Sequence, residues 1–409
     1  MIELRDYQID ISRKGAKILS EKKIVYLSMQ VRTGKSLTAL EICRIVRAKK
    51  VLFLTKKKAI ESIVSDYYML GPGYHLEVIN DEQLPNIADN DYDVVIHDEH
   101  HRFGAFPKTG KYTKLFKQLF GNKHQIYLSG TPTPESYSQI FHQFWVSNYS
   151  PFRQYSNFYN WAKTFVNVTK RRFAHGEVND YSDAKYNLIE PIIKPYMLTF
   201  TQQEAGFKST IDEEILYCDM MPHTYETCKL LMKDRVVEHN FTLPIIADTP
   251  VKLMQKLHQL YSGTVKFEDG SYEVLDYSKA LFIKDQFKGK KIGIFYKFVA
   301  ELECLKAILK DDLTTDIDEF NNSNKNIALQ IVSGREGISL RNAEALVFYN
   351  IDFSATSYWQ GRDRMTTKDR LFSKVYWIFS KGGIEDKIYK AVMDKKSYTL
   401  NIFKKDYGK

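Results

Sequence analysis

The sequence predicts an α/β protein of two lobes, each built on a parallel sheet. Two observations carry this expectation. Short apolar runs alternate with longer helix-periodic stretches, and they do so in two separate blocks of the chain. Runs that are apolar throughout and joined by helices suit a parallel sheet covered on both faces. The chain of 409 residues, 44% of them hydrophobic, is also long enough for two domains of ordinary size, each with its own core.

In the first block the expected strands are 24–27 (Ile24-Val25-Tyr26-Leu27), 51–54, 76–79, 94–96 and 126–128. In the second they are 292–295, 327–331, 346–349 and 375–379. From about 150 to 275 the beat is lost. Aromatic and charged residues mix there, as in Phe158-Tyr159-Asn160-Trp161 and Lys170-Arg171-Arg172-Phe173, while 254–260 reads as helix. The expected division is a first lobe over 1–205, with an insertion at about 150–195, and a second over 206–409, with a helical insertion at about 220–265. Helical insertions therefore lie near the junction. Glycine and proline mark no long flexible linker, and there are no repeats or low-complexity tracts.

Lysine and arginine number 59 against 50 aspartates and glutamates, a net charge of +9. The surplus favours a polyanionic partner, though many basic proteins bind none. The four cysteines, Cys43, Cys218, Cys228 and Cys304, form no C-x-x-C pair, which argues for buried free thiols rather than a zinc module or disulfide framework. The N-terminus has no apolar leader, and no run approaches the ~18 apolar residues of a membrane span. A soluble cytoplasmic protein with no membrane association is expected.

Four segments carry chemistry. The first is Met29-Gln30-Val31-Arg32-Thr33-Gly34-Lys35-Ser36, between the run at 24–27 and a helical pattern through Leu37, Leu40, Cys43 and Val46. Strand, tight loop, Gly-Lys-Ser and helix is the layout of a phosphate-binding loop, in which Lys35 reaches the β- and γ-phosphates and Ser36 holds Mg²⁺. Met29 stands where the strict pattern has glycine, so a chance Gly-Lys-Ser in a turn remains the alternative. The second is Asp93-Val94-Val95-Ile96-His97-Asp98-Glu99-His100-His101, an apolar strand ending in adjacent carboxylates. Ligands of α/β sheets bind at the carboxyl ends of strands, so Asp98 can hold Mg²⁺ and Glu99 can polarise water. A metal cluster of His97, His100 and His101 is the rival, but H-E-x-x-H is absent. A solvated strand-to-helix turn is the blander alternative. The third is Leu128-Ser129-Gly130-Thr131-Pro132-Thr133-Pro134, a rigid turn after a strand, weak by itself. The fourth is Tyr358-Trp359-Gln360-Gly361-Arg362-Asp363-Arg364-Met365, whose arginines can stabilise a transferring phosphoryl group or simply decorate a basic surface helix.

In this order the segments resemble the motifs of superfamily 2 helicases, closest to the Swi/Snf-type duplex-DNA translocases and to the compact versions carried by bacteriophages. Leu4-Arg5-Asp6-Tyr7-Gln8 resembles the family's glutamine motif, the Arg-Thr-Gly-Lys-Ser segment motif I, Asp98-Glu99-His100-His101 the DExx box, and Ser129-Gly130-Thr131-Pro132 motif III. Pro195-Tyr196-Met197-Leu198 resembles the connector after lobe one, and 255–263 with Lys279 the segment entering lobe two. Residues 291–298 resemble motif IV, Ser333-Gly334-Arg335-Glu336-Gly337-Ile338-Ser339-Leu340 motif V, 360–364 motif VI, and Gly383-Ile384-Glu385-Asp386 the usual ending. The resemblance covers nearly the whole chain.

It implies two RecA-like lobes with ATP and Mg²⁺ in the cleft between them, and an ATPase driving movement on duplex DNA that is held mainly by its phosphates. The work would lie in replication, recombination or fork processing, by a monomer with partner proteins, in the host cytoplasm where the gene is phage-borne. The resemblance makes Gln8 the adenine reader. Arg32, Thr33, Gly34, Lys35 and Ser36 become the phosphate loop, with Ser36 and Asp98 on the metal and Glu99 on the water. Gly337, in the motif V that couples the lobes, joins the nucleotide-binding residues, and Gln360 and Arg364 complete the catalytic set. Two departures stand out. Thr367 occupies the place of a second motif VI arginine, which Arg362 or Arg370 does not obviously fill, and Arg32 replaces a common glycine. Nucleic-acid contacts are harder to place: Thr55-Lys56-Lys57-Lys58, at the position of motif Ia, can bind phosphate or be a solvated charge run, and Lys170-Arg171-Arg172 in the insertion can grip duplex or simply face solvent. An ATP-gated clamp with weak hydrolysis and an RNA or single-strand helicase remain open alternatives.

Overall fold

The computed structural model describes residues 3–87, 90–173, 176–206, 210–238, 243–331, 340, 342–354 and 372–393. The chain divides into two compact units, Met1–Phe207 and Lys208–Lys409.

The first unit runs α1 (Asp6–Lys22), β1 (Ile24–Met29), α2 (Lys35–Ile45), β2 (Lys50–Thr55), α3 (Ile60–Leu70), β3 (His75–Asn80), β4 (Val94–His97), α4 (Lys111–Phe120), β5 (His124–Ser129), α5 (Ile140–Trp145), α6 (Phe158–Phe165), β6 (Thr169–Phe173), β7 (Gly176–Asp180), α7 (Tyr186–Ile193) and β8 (Met197–Phe200). Six strands form one sheet in the order β3-β2-β4-β5-β1-β8, parallel at every pairing. The period of two along β1 explains why its sequence is apolar throughout. Ile24 and Tyr26 enter an aromatic core with Phe116, Phe141 and Trp161. Val25, Leu27 and Met29 enter the opposite core with Leu19, Leu40 and Ile63, from α1, α2 and α3. Each fully buried side chain of this kind contributes roughly 1.5–3 kcal/mol.

The second unit runs β9 (Thr210–Cys218), α8 (Pro222–Asp234), β10 (Val236–Val237), β11 (Ile245–Ile246), α9 (Pro250–Leu260), β12 (Thr264–Lys266), β13 (Tyr272–Val274), α10 (Ser278–Gln286), β14 (Ile292–Tyr296), α11 (Val299–Leu309), β15 (Leu313–Thr314), α12 (Ile317–Asn322), β16 (Asn326–Gln330), β17 (Ala345–Phe348), β18 (Phe372–Ser380) and a last described helix, α13 (Glu385–Met393). Its sheet has the order β15-β16-β14-β17-β18-β9, again parallel throughout. Two parallel six-stranded sheets flanked by helices make two RecA-like lobes.

Three differences from the sequence expectation have physical causes. The stretch 197–198, expected as a connector, belongs to β8 and pairs with β1 from Tyr26↔Met197 to Met29↔Phe200. The β9 strand was not expected, because Asp212-Glu213-Glu214 interrupts its apolar pattern at a sheet edge. The stretches expected as helical insertions also hold β-ladders. β6 pairs antiparallel with β7 from Thr169↔Asp180 to Phe173↔Gly176, and β10 pairs with β11. The run Lys170-Arg171-Arg172 gives β6 no apolar alternation to read. All four cysteines are buried and free. Among the described residues no helix is long and apolar enough to cross a membrane.

Candidate nucleotide site

The order β4-β5-β1 places the carboxyl ends of three adjacent strands side by side. From β1 the chain passes through Gln30–Gly34 into α2. Gly34 caps that helix at φ 79°, in the left-handed region, and, being glycine, gives its first turn no side-chain cap. The α2 N-terminus thus offers backbone N–H groups to a ligand, which suits an anion. The Gly34 φ of 79° is strained for any residue with a Cβ, and a Cβ there would also have to displace Gln8 Nε2, 2.2 Å away. Arg32 also takes a left-handed conformation, φ 62°. The residue that replaces the family's glycine adopts glycine's backbone.

The loop is held from several sides. Thr33, fully buried, donates its hydroxyl to the Gln30 carbonyl at 2.7 Å. Tyr7 donates to the Thr33 carbonyl at 3.1 Å and stacks on Phe200 of β8 at 4.6 Å between centroids. Gln8 donates to the Gly34 carbonyl at 3.4 Å and accepts from the Arg5 amide at 2.9 Å. Gln202 reaches from beyond β8, its side chain donating to the Val31 carbonyl at 3.0 Å. Lys35 Nζ lies 3.4 Å from the Gln30 carbonyl, folded over the loop where the phosphates would sit.

At the end of β4, Asp98 accepts from the Thr55 hydroxyl of β2 at 2.9 Å and from the Glu99 amide at 2.9 Å. Burial and the neighbouring Glu99 charge raise its carboxyl to about 6, against the opposing pull of Lys35 and Thr55. Lys35 and Asp98 therefore share one electrostatic neighbourhood. A divalent cation would relieve the cost of ionising Asp98, so the residues present fit Mg²⁺. Glu99 sits at φ 47°, a left-handed turn that redirects the chain as the strand ends. Its carboxylate lies 3.2 Å from His101 Nδ1, which is 3.0 Å from the Ser129 hydroxyl at the end of β5.

The histidines that suggested a metal cluster are engaged otherwise. His97 and His100 meet Nδ1 to Nδ1 at 2.7 Å, and His100 stacks on Tyr127 at 3.6 Å. Burial and the adjacent His97 hold His100 well below the ordinary histidine range. Its Nε2 donates to the Gln143 carbonyl at 2.8 Å.

Sequence reading missed Thr55 as a partner of Asp98, gave Tyr7 no role of its own within the glutamine motif, and missed Gln202 and Gln143 altogether. Only Tyr7 carried a signal, through its place beside Gln8. Of the other candidate residues, Gly337, Gln360 and Arg364 lie outside the described residues, as do Arg362, Thr367 and Arg370. Lys57 and Lys58 are exposed on a 3-10 turn after β2. Lys170 lies on β6, paired with Asn179.

The model of the SNF2-related domain family matches residues 24–265, more than half of the chain. Among curated proteins no relative matches.

Proposed function

The chain belongs to the SNF2-related domain family of ATP-dependent superfamily 2 motors, and from that premise we propose that it is a DNA-stimulated ATPase that moves along or remodels duplex DNA. The observation that supports this reading most is the meeting of the uncapped α2 N-terminus, Lys35 and the Asp98–Glu99 pair at neighbouring strand ends. In this reading the amides of Gly34, Lys35 and Ser36 cradle the ATP phosphates, and Lys35 balances charge on the β- and γ-phosphates. Ser36 and Asp98 would hold Mg²⁺, which when bound neutralises phosphate charge. Glu99, oriented by its left-handed turn, positions the attacking water, and Arg32 and Thr33 shape the loop. Gln8, beside Gly34, recognises adenine. Gly337, Gln360 and Arg364 of the second unit contribute coupling and transition-state stabilisation.

Duplex phosphates are met by the Lys56–Lys58 region and by the β6–β7 hairpin. On this reading the protein acts in the cytoplasm, in replication, recombination or fork processing. Thr367, in place of a second arginine, favours slow turnover over fast.

The test is ATP hydrolysis by the purified chain with duplex DNA, single-stranded DNA, RNA or no nucleic acid. Duplex DNA should stimulate most. Lys35→Ala should lower the stimulated rate at least about 100-fold, the scale of losing a charge aimed at a transferring phosphoryl group. Equal rates with and without nucleic acid would reject the motor. Single-turnover hydrolysis with tight ATP-dependent DNA binding would replace it with a clamp.

A further inference from the structure

Gln143, on α5, is fully buried and joins three segments far apart in sequence. Its side-chain amide donates to the Pro132 carbonyl at 2.8 Å and to the Gln139 carbonyl at 3.1 Å. Its side-chain oxygen accepts from the Tyr26 hydroxyl of β1 at 2.7 Å. Its backbone carbonyl accepts from His100, in the turn that begins with Asp98 and Glu99. Gly104 ends that turn, and a Cβ there would lie 3.1 Å from Gln143 Nε2 and 2.9 Å from Gln139 Cβ, so the turn packs directly on α5.

The connections continue beyond Pro132. Gln139 Oε1 accepts from the amides of Glu135 at 3.1 Å and Ser136 at 3.4 Å. The Ser136 hydroxyl donates to the Ser182 carbonyl at 2.6 Å, and the Ser138 hydroxyl donates to the Tyr181 carbonyl at 2.5 Å. Tyr181 and Ser182 follow β7 directly, at the base of the hairpin whose other strand carries Lys170-Arg171-Arg172. A continuous hydrogen-bonded series thus runs from the carboxylate turn, through Gln143, to the foot of the basic hairpin.

We propose that Gln143 is a positioning residue that couples the Asp98–Glu99 turn to the Ser129–Pro134 turn, and through Ser136 and Ser138 to the β6–β7 hairpin. A glutamine chosen only to fill space would leave its amide as a liability, since an unpaired buried polar group is costly. Here both polar ends of the side chain are used: Tyr26 and Pro132 lie on other segments, Gln139 lies one turn back on its own, and the main-chain carbonyl of the same residue takes His100. Such a group passes a shift of one turn to the other because its bonds cannot all persist unless both move together. The proposal rests on the nucleotide site assigned above.

The experiment is hydrogen exchange of the full chain, with and without a non-hydrolysable ATP analogue and Mg²⁺. In the parent protein the analogue should slow exchange at 30–38 and also at 130–139 and 181–184. In Tyr26→Phe/Gln143→Met, where both hydrogen-bonding partners become apolar together, protection at 30–38 should persist while that at 130–139 and 181–184 is lost. Tyr26→Phe/Gln143→Leu removes the same hydrogen bonds with a different apolar side chain, so it should behave alike and serves if the first double variant folds poorly. Tyr26→Phe alone should keep both protections. In steady state the Gln143 variants should lose about 5- to 30-fold in DNA-stimulated kcat, with KM for ATP changed less than about 2-fold. Protection at 130–139 that survives in the variants, or is missing in the parent while 30–38 is protected, overturns the coupling. Absence of protection at 30–38 in the parent overturns the nucleotide site, and the coupling with it.

Discussion

Arg235 shows at one residue how backbone and side chain can want different things. It follows α8 at φ 66°, closing the helix with its amide on the Leu231 carbonyl. The left-handed region costs a residue with a Cβ roughly 1–2 kcal/mol and costs glycine almost nothing. The Arg235 side chain is exposed. Arg235→Gly should therefore raise stability by about 0.5–1 kcal/mol, after allowing for the looser unfolded chain. A denaturant midpoint that is unchanged or lower would show that the arginine contributes something its exposure does not reveal. The same backbone demand explains what the sequence made plain about the candidate site and what it hid. Gly34, Lys35 and Ser36 could be read because their chemistry depends on local spacing. That Arg32 would copy a glycine's conformation could not, because residue type alone argues against φ 62°. Gln143 was invisible for a different reason. Its partners Tyr26, His100 and Pro132 are distant in sequence, and nothing local marks a glutamine that will be buried among them.

Elements were legible where burial is two-sided and obscure where it is not. The inner strands β1, β4, β14 and β17 are buried almost along their whole length, so their composition alone reads as parallel sheet. The edge strands β8 and β9 carry half-buried or acidic positions and lose that signature. Two segments recognised only through family resemblance, Lys279 and Gly383-Ile384-Glu385-Asp386, meet in the fold. Lys279 on α10 pairs with Glu385, the first residue of α13, at 2.8 Å, with both side chains fully buried. Lys279 also donates to the Tyr349 carbonyl at 3.3 Å, while Glu385 Oε2 has no hydrogen-bond partner among the described residues. The pair ties two helices to the carboxyl end of β17. Removing one member leaves the other charge buried and uncompensated, so Lys279→Met should cost about 3–5 kcal/mol. The double variant Lys279→Met/Glu385→Gln should recover most of that loss, because no net charge then remains inside. Chemical denaturation of the single and double variants measures both. A single variant within about 1 kcal/mol of the parent would mean that water reaches the pair.

For the whole molecule the governing quantity is charge. A net +9 spread over 409 residues is modest, so affinity for duplex DNA should come from a local footprint rather than from the overall field. Six basic residues were assigned to that footprint, Lys56, Lys57 and Lys58 after β2 and Lys170, Arg171 and Arg172 on β6. Each phosphate neutralised contributes about −0.9 to the slope of log affinity against log salt. If all six engage, the slope of log affinity, taken as the inverse of the half-stimulating DNA concentration, is about −5, and a fourfold rise in salt weakens binding about 10³-fold. Lys57 and Lys58 are exposed, so Lys57→Gln/Lys58→Gln should make the slope shallower by about 2 and weaken binding alike on unrelated duplex sequences. The measurement is DNA-stimulated ATP hydrolysis titrated at several salt concentrations for the parent and the double variant. A slope near zero would remove phosphate-led binding altogether. A parent slope retained by the variant would move the footprint off the β2 turn. A loss confined to some sequences would mean that these lysines touch base edges rather than phosphates, because the phosphate backbone is the same in all of them.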